Sequence, residues 1–192
     1  MEKLTGLKKI RTAVFISGAG SNLKNIIKFS KLKKSPISID LVISNTNIAK
    51  GLKYADQFKI KKKIFNFKNY KKAEKNISLL LKKEKIRLIC LAGFMKILSK
   101  NFIHGFDGKI INIHPSLLPK YKGLNTHLRA INNNDKFAGC TVHHVNEKLD
   151  SGKIILQKKI RIVAKDNSVS LAKKILKQEH KLYPAAIMKI FN

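Results

Sequence analysis

The segment TAVFISGAGSNLKNIIKFSK, residues 12–31, contains a strand, a turn and a helix in succession. Residues 12–17, with the apolar run Ala13–Ile16 at their centre, are typical of a buried strand, and apolar residues recur at helical spacing from Ser21 to Lys31. A buried strand followed directly by an amphipathic helix is the repeating unit of parallel sheets that helices cover. The segment therefore predicts an α/β protein.

The same alternation continues along the chain. It predicts strands at residues 37–43, 64–67, 86–92 and 109–114, and helices at 48–58, 71–83 and 124–132. Two strand-like runs, 139–145 and 153–163, then flank the turn Asp150-Ser151-Gly152 and predict a β-hairpin. We expect Ser168 to cap a last helix that reaches Phe191, with Pro184 as a kink. The predicted fold class is α/β: a three-layer, mostly parallel sheet with helices on both faces and a C-terminal β-hairpin plus helix.

The length of 192 residues predicts one domain over residues 1–192, with one half at about 10–100 and the other at about 101–192. The N-terminus lacks the apolar core of a signal peptide, and no apolar stretch is long enough to span a membrane. Cys90 and Cys140 lie in apolar runs, where free buried thiols are usual. We therefore expect a cytoplasmic protein without a membrane partner.

The chain is strongly basic, with 41 Lys and Arg against 11 Asp and Glu and a net charge of +30. Such a charge suits a polyanion, but only four of the basic residues are Arg, the residue that best recognises phosphates and base edges. Lys is spread along a chain that is also rich in Ile and Asn, as codon bias would produce. We expect no specific nucleic-acid partner, and keep a non-enzymatic polyanion-binding module as an alternative.

A glycine-containing turn, Ser17-Gly18-Ala19-Gly20-Ser21-Asn22, joins the first strand to the first helix. Unpaired N–H groups at a helix N-terminus attract a phosphate. The turn matches neither the dinucleotide fingerprint nor the Walker A loop. It is compatible with a monophosphate site and, equally, with a structural turn that Ser21 caps.

A second candidate site lies on the strand that ends Asn112-Ile113-His114. Alternate residues of a strand share a face, so the amide and the imidazole project together at the carboxyl edge of the sheet, where ligands of α/β proteins bind. Asp150 in the hairpin turn is one of few acidic residues, and a carboxylate near His114 would favour the imidazolium. The alternative is that these are satisfied polar groups in the core.

Three further features bear on function, and alternatives stay open for the first and the last of them. Glu179 lies on the apolar stripe of the last helix, where it needs either a ligand or a Lys as its partner. The adjacent His143 and His144 point to opposite faces of a strand, so we expect no metal. The segment 59–75 contains eight Lys and reads as solvated surface or as a basic patch for polyglutamate or nucleic acid.

In combination, several motifs closely resemble the folate-dependent formyltransferases, and among them the phosphoribosylglycinamide formyltransferases of purine biosynthesis. The resemblance runs in order from Thr12 to Tyr183 through the segments SGAGSNLKNII, SNTNIAKGLKYA, LAGFMKILS, INIHPSLLPKYKGLNTHLRA, TVHHVNEKLDSGKIILQ and KQEHKLYP. It implies a Rossmann-like formyltransferase fold. It also implies a one-carbon transferase that moves the formyl group of 10-formyltetrahydrofolate, the donor cosubstrate, to the amine of 5-phosphoribosylglycinamide, as a monomer or homodimer without a metal.

The resemblance also implies roles for individual residues. The catalytic group would be Asn112, His114 and Asp150. The phosphate and ribose of the acceptor would bind at Gly20, Ser21, Asn22, Gln178 and Glu179. The folate would bind at Met95, Lys96, Ile97, Leu98, Asn112, Asn146, Glu147, Lys148, Leu149 and Asp150.

The chain departs from the family pattern at several positions. Lys122 and Asn125 stand where relatives usually have Pro and His, and His144 and Lys153 stand where they usually have Phe and Pro. No Arg lies between Arg11 and Arg87 to meet the folate glutamate, for which Lys68 or Lys71 is a substitute.

Two related enzymes remain alternatives, 10-formyltetrahydrofolate hydrolase and a tRNA formyltransferase-like protein. Both usually carry an additional domain, for which a chain of 192 residues has no room.

Overall fold

The computed structural model describes residues 9–191. Residues 1–8 and 192, which the single-domain prediction includes, lie outside the described residues. The chain divides into two compact units. The first holds the described residues up to Lys96 together with Asp107–Lys109 and Phe191, and the second holds Ile97–Phe106 and Ile110–Ile190. The expectation of one domain over residues 1–192 stays a prediction.

The first unit contains four parallel strands and three helices. The strands follow the order β3-β2-β1-β4, and their apolar residues form the buried interior of the unit. The elements are β1 (Ile10–Ile16), α1 (Ser21–Ser30), β2 (Ile37–Ser44), α2 (Leu52–Gln57), β3 (Lys61–Ile64), α3 (Tyr70–Lys83) and β4 (Leu88–Leu91).

The second unit is built around antiparallel strands. β6 pairs with β5 and with β7, and the β6–β7 pair is the predicted hairpin. The elements are α4 (Lys100–Gly105), β5 (Lys109–His114), α5 (Thr126–Asn132), β6 (Phe137–His144), β7 (Ile154–Arg161) and α6 (Ser168–Phe191), of which Lys109 and Phe191 belong to the first unit. Parallel strands alternate with helices in the first unit, and the second unit adds antiparallel strands and helices, so the predicted α/β class is confirmed.

Some predicted elements differ from the structure at their ends. β3 lies at Lys61–Ile64 rather than at 64–67, and all four of its residues are exposed, so it has no buried face for a pattern to reveal. Lysine side chains on such an edge strand discourage pairing with another chain. The helix predicted at 48–58 is only Leu52–Gln57, the helix predicted from residue 124 begins at Thr126, and the short helix α4 was not predicted.

The start of α6 corrects the predicted cap. Ser168 is the first helical residue, and Asn167 before it caps the helix. Its Oδ1 accepts hydrogen bonds from the backbone N–H groups of Val169 and Ser170 at 3.0 and 2.9 Å. Pro184 lies inside this helix, which ends at Phe191 as predicted. Within residues 9–191, no helix is both long and apolar enough to cross a membrane. Cys90 and Cys140 are buried free thiols, as predicted.

Candidate active site

Strand β5 places Asn112 and His114 on one side, and the turn between β6 and β7 brings Asp150 to both of them. Nδ1 of His114 lies 3.3 Å from Oδ2 of Asp150. The amide nitrogen of Asn112 lies 3.4 Å from Oδ1 of the same carboxylate. The side chains of His114 and Asp150 are each only 7% exposed. The three residues that the sequence singled out therefore form one cluster.

Asp150 is held as a carboxylate by its surroundings. Burial acts to raise its pKa, but the neighbouring His143, the backbone N–H of Gly123 and the charge of His114 together lower it. Asp150 itself adopts a left-handed backbone conformation, with φ 44°. Two residues further along, a Cβ on Gly152 would meet the backbone oxygen of His144 at 1.7 Å, so this tight turn requires glycine.

His143 is a member of the cluster that the sequence analysis considered only as a metal ligand and did not assign to the site. It pairs with Asn112 across β5 and β6, and it is 2% exposed. Its Nε2 lies 3.3 Å from the Asn112 amide nitrogen and 3.6 Å from Oδ1 of Asp150. Its Nδ1 bonds the carbonyl of His144 at 2.8 Å, so that Nδ1 is the donor and Nε2 faces the cluster. The register between β5 and β6 places His143 opposite Asn112, and a single sequence does not specify that register.

A loop following β5 closes over the His114–Asp150 pair. The carbonyl oxygen of Tyr121 lies 2.9 Å from Nε2 of His114. The backbone N–H of Gly123 donates to Oδ2 of Asp150 at 2.9 Å. Both loop residues have positive φ, 58° at Tyr121 and 77° at Gly123. Both ring nitrogens of His114 therefore face protein oxygen atoms.

The glycine-containing turn lies in the first unit, where Gly20 is the N-cap of α1 with φ 73°. No side-chain bond caps this helix, so the alternative in which Ser21 caps it is wrong. A Cβ at Gly20 would lie 2.5 Å from Cα of Gly51, which shows how closely the two backbones approach. Asn22 is buried in the first turn of the helix. The turn presents backbone N–H groups at the start of a ten-residue helix.

The residues predicted to bind folate fall in both units. Met95 and Ile97 are 63% and 64% exposed, whereas Leu98 is buried. In the first unit, the backbone N–H of Met95 donates to Oγ of Ser17, which ties the loop after β4 to the turn after β1. In the second unit, residues 146–149 form an exposed turn. A hydrogen bond from Lys100 lowers the pKa of Glu147 there.

Glu179 is buried, as predicted, in the interior of the second unit. Burial together with the charge of Glu179 raises the pKa of the Cys140 thiol to about 12, which keeps that thiol protonated. Gln178 beside it is half-buried. Among residues 9–191, no group of three or more His, Cys, Asp or Glu is arranged to hold a metal ion.

These elements define an α/β protein with an amide, two imidazoles and a carboxylate gathered at the end of one strand, a site suited to acyl or one-carbon transfer. The chain belongs to the formyl transferase family, whose N-terminal domain model, described as "Formyl transferase", matches residues 10–187.

The similarity extends to individual relatives. The chain is 45% identical over 184 residues to the phosphoribosylglycinamide formyltransferase of Haemophilus influenzae, covering 94% of this chain and 86% of that protein. It is 43% identical over 183 residues to the human trifunctional purine biosynthetic protein adenosine-3, covering 94% of this chain but only 18% of that protein.

Solved structures agree with these relatives. The crystal structure of phosphoribosylglycinamide formyltransferase from Brucella melitensis superimposes with a TM-score of 0.91 at 41% identity and covers 95% of this chain and 96% of that one. The corresponding structure from Anaplasma phagocytophilum gives a TM-score of 0.88 at 41% identity, covering 94% and 86%.

Proposed function

We propose that the chain transfers the formyl group of 10-formyltetrahydrofolate to the amine of 5-phosphoribosylglycinamide, a step of purine biosynthesis. The observation that carries this proposal is the cluster of Asn112, His114 and Asp150, in a chain that is 45% identical to an enzyme of that name. Both substrates are anions, and the net charge of +30 favours their approach.

The chemistry is a direct transfer. The substrate amine attacks the formyl carbon, and the new C–N bond forms as the carbonyl oxygen gains negative charge. The Asn112 amide and the positive charge of protonated His114 stabilise that oxyanion. Collapse of the intermediate breaks the bond to N10 of the folate. The amine loses a proton and N10 gains one, and Asp150 assists this transfer while holding His114 charged.

Different segments of the chain bind the different parts of the two substrates. In our proposal the phosphate binds to the backbone N–H groups at Gly20, Ser21 and Asn22, because α1 begins there and its N-cap is a glycine, which leaves room for an anion. Gln178 and Glu179 contact the glycinamide or ribose. The pteridine binds along two segments. One is Met95–Leu98, in which Met95 and Ile97 are exposed, and the other is the turn Asn146–Asp150.

The partners in this proposal are the two small molecules, and the enzyme works in the cytoplasm as a monomer or homodimer. Neither a membrane nor a specific nucleic acid takes part. Lys68 or Lys71, both exposed in the first unit, meets the glutamate of the folate.

The experiment is a two-substrate assay with the purified chain. Deformylation of 10-formyltetrahydrofolate is followed with and without 5-phosphoribosylglycinamide. We expect turnover that requires both substrates and yields formylated ribonucleotide in equal amount. Release of formate without the ribonucleotide would instead identify a hydrolase, and no reaction with either substrate would favour a binding module.

A further inference from the structure

Three consecutive loop residues, Tyr121, Lys122 and Gly123, contact the His114–Asp150 pair or its immediate neighbour. The two outer residues act through their backbone, as described above: the Tyr121 carbonyl meets Nε2 of His114 and the Gly123 N–H meets Oδ2 of Asp150. The middle residue acts through its side chain. Nζ of Lys122 donates to Oγ of Ser151 at 2.5 Å.

Ser151 transmits this contact to Asp150. Its hydroxyl donates its only proton to the carbonyl of Leu149 at 2.8 Å, which leaves Oγ as the acceptor for the Lys122 ammonium. The Ser151–Leu149 bond spans Asp150, whose backbone is held at φ 44°, a conformation that costs energy for a residue other than glycine. The lysine therefore fastens the loop to the same turn that fixes the strained backbone of Asp150.

The backbone of Lys122 is fixed as well. Nη1 of Arg129 donates to the Lys122 carbonyl at 2.7 Å, and the guanidinium lies 4.8 Å from the centre of the Tyr121 ring. Tyr121 is itself in the left-handed region, where its conformation persists only if neighbouring contacts maintain it. Two contacts thus hold the loop: Arg129 of α5 bonds its backbone, and the Lys122 side chain bonds the turn that contains Asp150.

We propose that Lys122 is a positioning residue of the transfer reaction: by bonding Ser151 it holds residues 121–123 against the His114–Asp150 pair and so fixes the orientation of both side chains. This inference rests on the proposed function. The hydrogen bonds of Tyr121 and Gly123 are backbone bonds, so their geometry depends on where the loop lies rather than on the identity of those two side chains.

Steady-state kinetics of Lys122→Met test this proposal. The variant keeps the aliphatic stem but cannot donate to Ser151. We expect kcat to fall about tenfold, the size of one hydrogen bond from a charged donor, while KM for each substrate changes less than twofold. Lys122→Arg, which can still reach the Ser151 hydroxyl, restores most of kcat. Ser151→Ala lowers kcat similarly, and the double variant is no slower than the slower single variant.

The matched control is Lys136→Met, which removes the same charge from an exposed lysine of the same unit. It keeps wild-type kcat. Amide hydrogen exchange at Gly123 provides a readout that needs no activity, and we expect it to accelerate in Lys122→Met alone.

Unchanged kcat in Lys122→Met, or a loss confined to KM, would overturn the positioning role, whatever the exchange at Gly123. If the wild-type chain shows no two-substrate turnover, the proposed function fails, and the exchange measurement alone then shows whether Lys122 holds the loop. Unaltered exchange at Gly123 in Lys122→Met would overturn the inference that Lys122 holds residues 121–123 in place.

Discussion

Oδ2 of Asp150 receives both the Gly123 backbone N–H at 2.9 Å and, at 3.3 Å, Nδ1 of His114. One carboxylate oxygen thus connects the loop that follows β5 with the histidine on β5 itself. The other oxygen faces Asn112 and His143. Asp150 is therefore the residue on which the whole cluster converges, and its removal is the most direct test of the site.

Asp150→Asn should lower kcat by at least about 100-fold, because an amide cannot hold His114 charged or accept a proton in transit. The side chains have nearly the same volume, so the fold should be retained. Circular dichroism and thermal unfolding check the fold, and the two-substrate assay measures kcat. A variant with more than a tenth of wild-type kcat would exclude Asp150 from the mechanism.

His143 should contribute to catalysis although it lies beyond the predicted group. His143→Leu removes the Nε2 atom that meets the Asn112 amide, and we expect kcat to fall about tenfold. His143→Gln places a polar group near the former Nε2 position and should recover part of that loss. Equal activity of the two variants would mean that the ring nitrogen has no role in orienting Asn112.

Gly20→Ala should destabilise the first unit and weaken binding of the ribonucleotide. The new Cβ would approach the backbone of Gly51 to 2.5 Å in a left-handed conformation, which together should cost about 2 kcal/mol or more. Gly18→Ala is the matched control, since a Cβ there has no atom within 4 Å. Denaturant unfolding and KM measure the two effects. Equal stability of both variants would contradict the close packing of Gly20 on Gly51.

Asp166 should make stability depend on pH in the acid range. Hydrogen bonds from Lys174, the Val163 N–H and Ser170 lower its pKa to about 2. A depressed pKa in the folded state stabilises the protein above the ordinary value near 4, and this stabilisation disappears as the pH falls toward 2.

The matching experiment compares Asp166→Asn with the wild type in thermal unfolding between pH 7 and pH 2. We expect a lower Tm for the variant at pH 7 and convergence of the two curves near pH 2. Asp107→Asn, at a side chain that is 89% exposed, should show no such convergence because its Tm should equal that of the wild type throughout. If the difference in Tm between Asp166→Asn and the wild type stays constant with pH, the ionised carboxylate is excluded as its source.

Much of the architecture was predictable because burial leaves periodic apolar patterns in the sequence. The strand at Lys109–His114 and the last helix, ending at Phe191, were predicted with their observed ends or nearly so. The edge strand β3 was misplaced because all its residues are exposed and its pairing with β2 depends on backbone bonds alone. The cap of α6 was assigned one residue too late, since Asn167 and Ser168 are both good capping residues.

By itself the sequence determined the α/β class and placed Asn112 and His114 on one face of a strand, because residue type and strand alternation are local properties. The resemblance to the formyltransferases added Asp150 to this group. Only the tertiary structure decided that His143 faces Asn112, and that the backbone of Tyr121 and Gly123 closes on the His114–Asp150 pair. Strand register and backbone hydrogen bonds of a loop depend on positions in space. No side-chain pattern in the sequence encodes them.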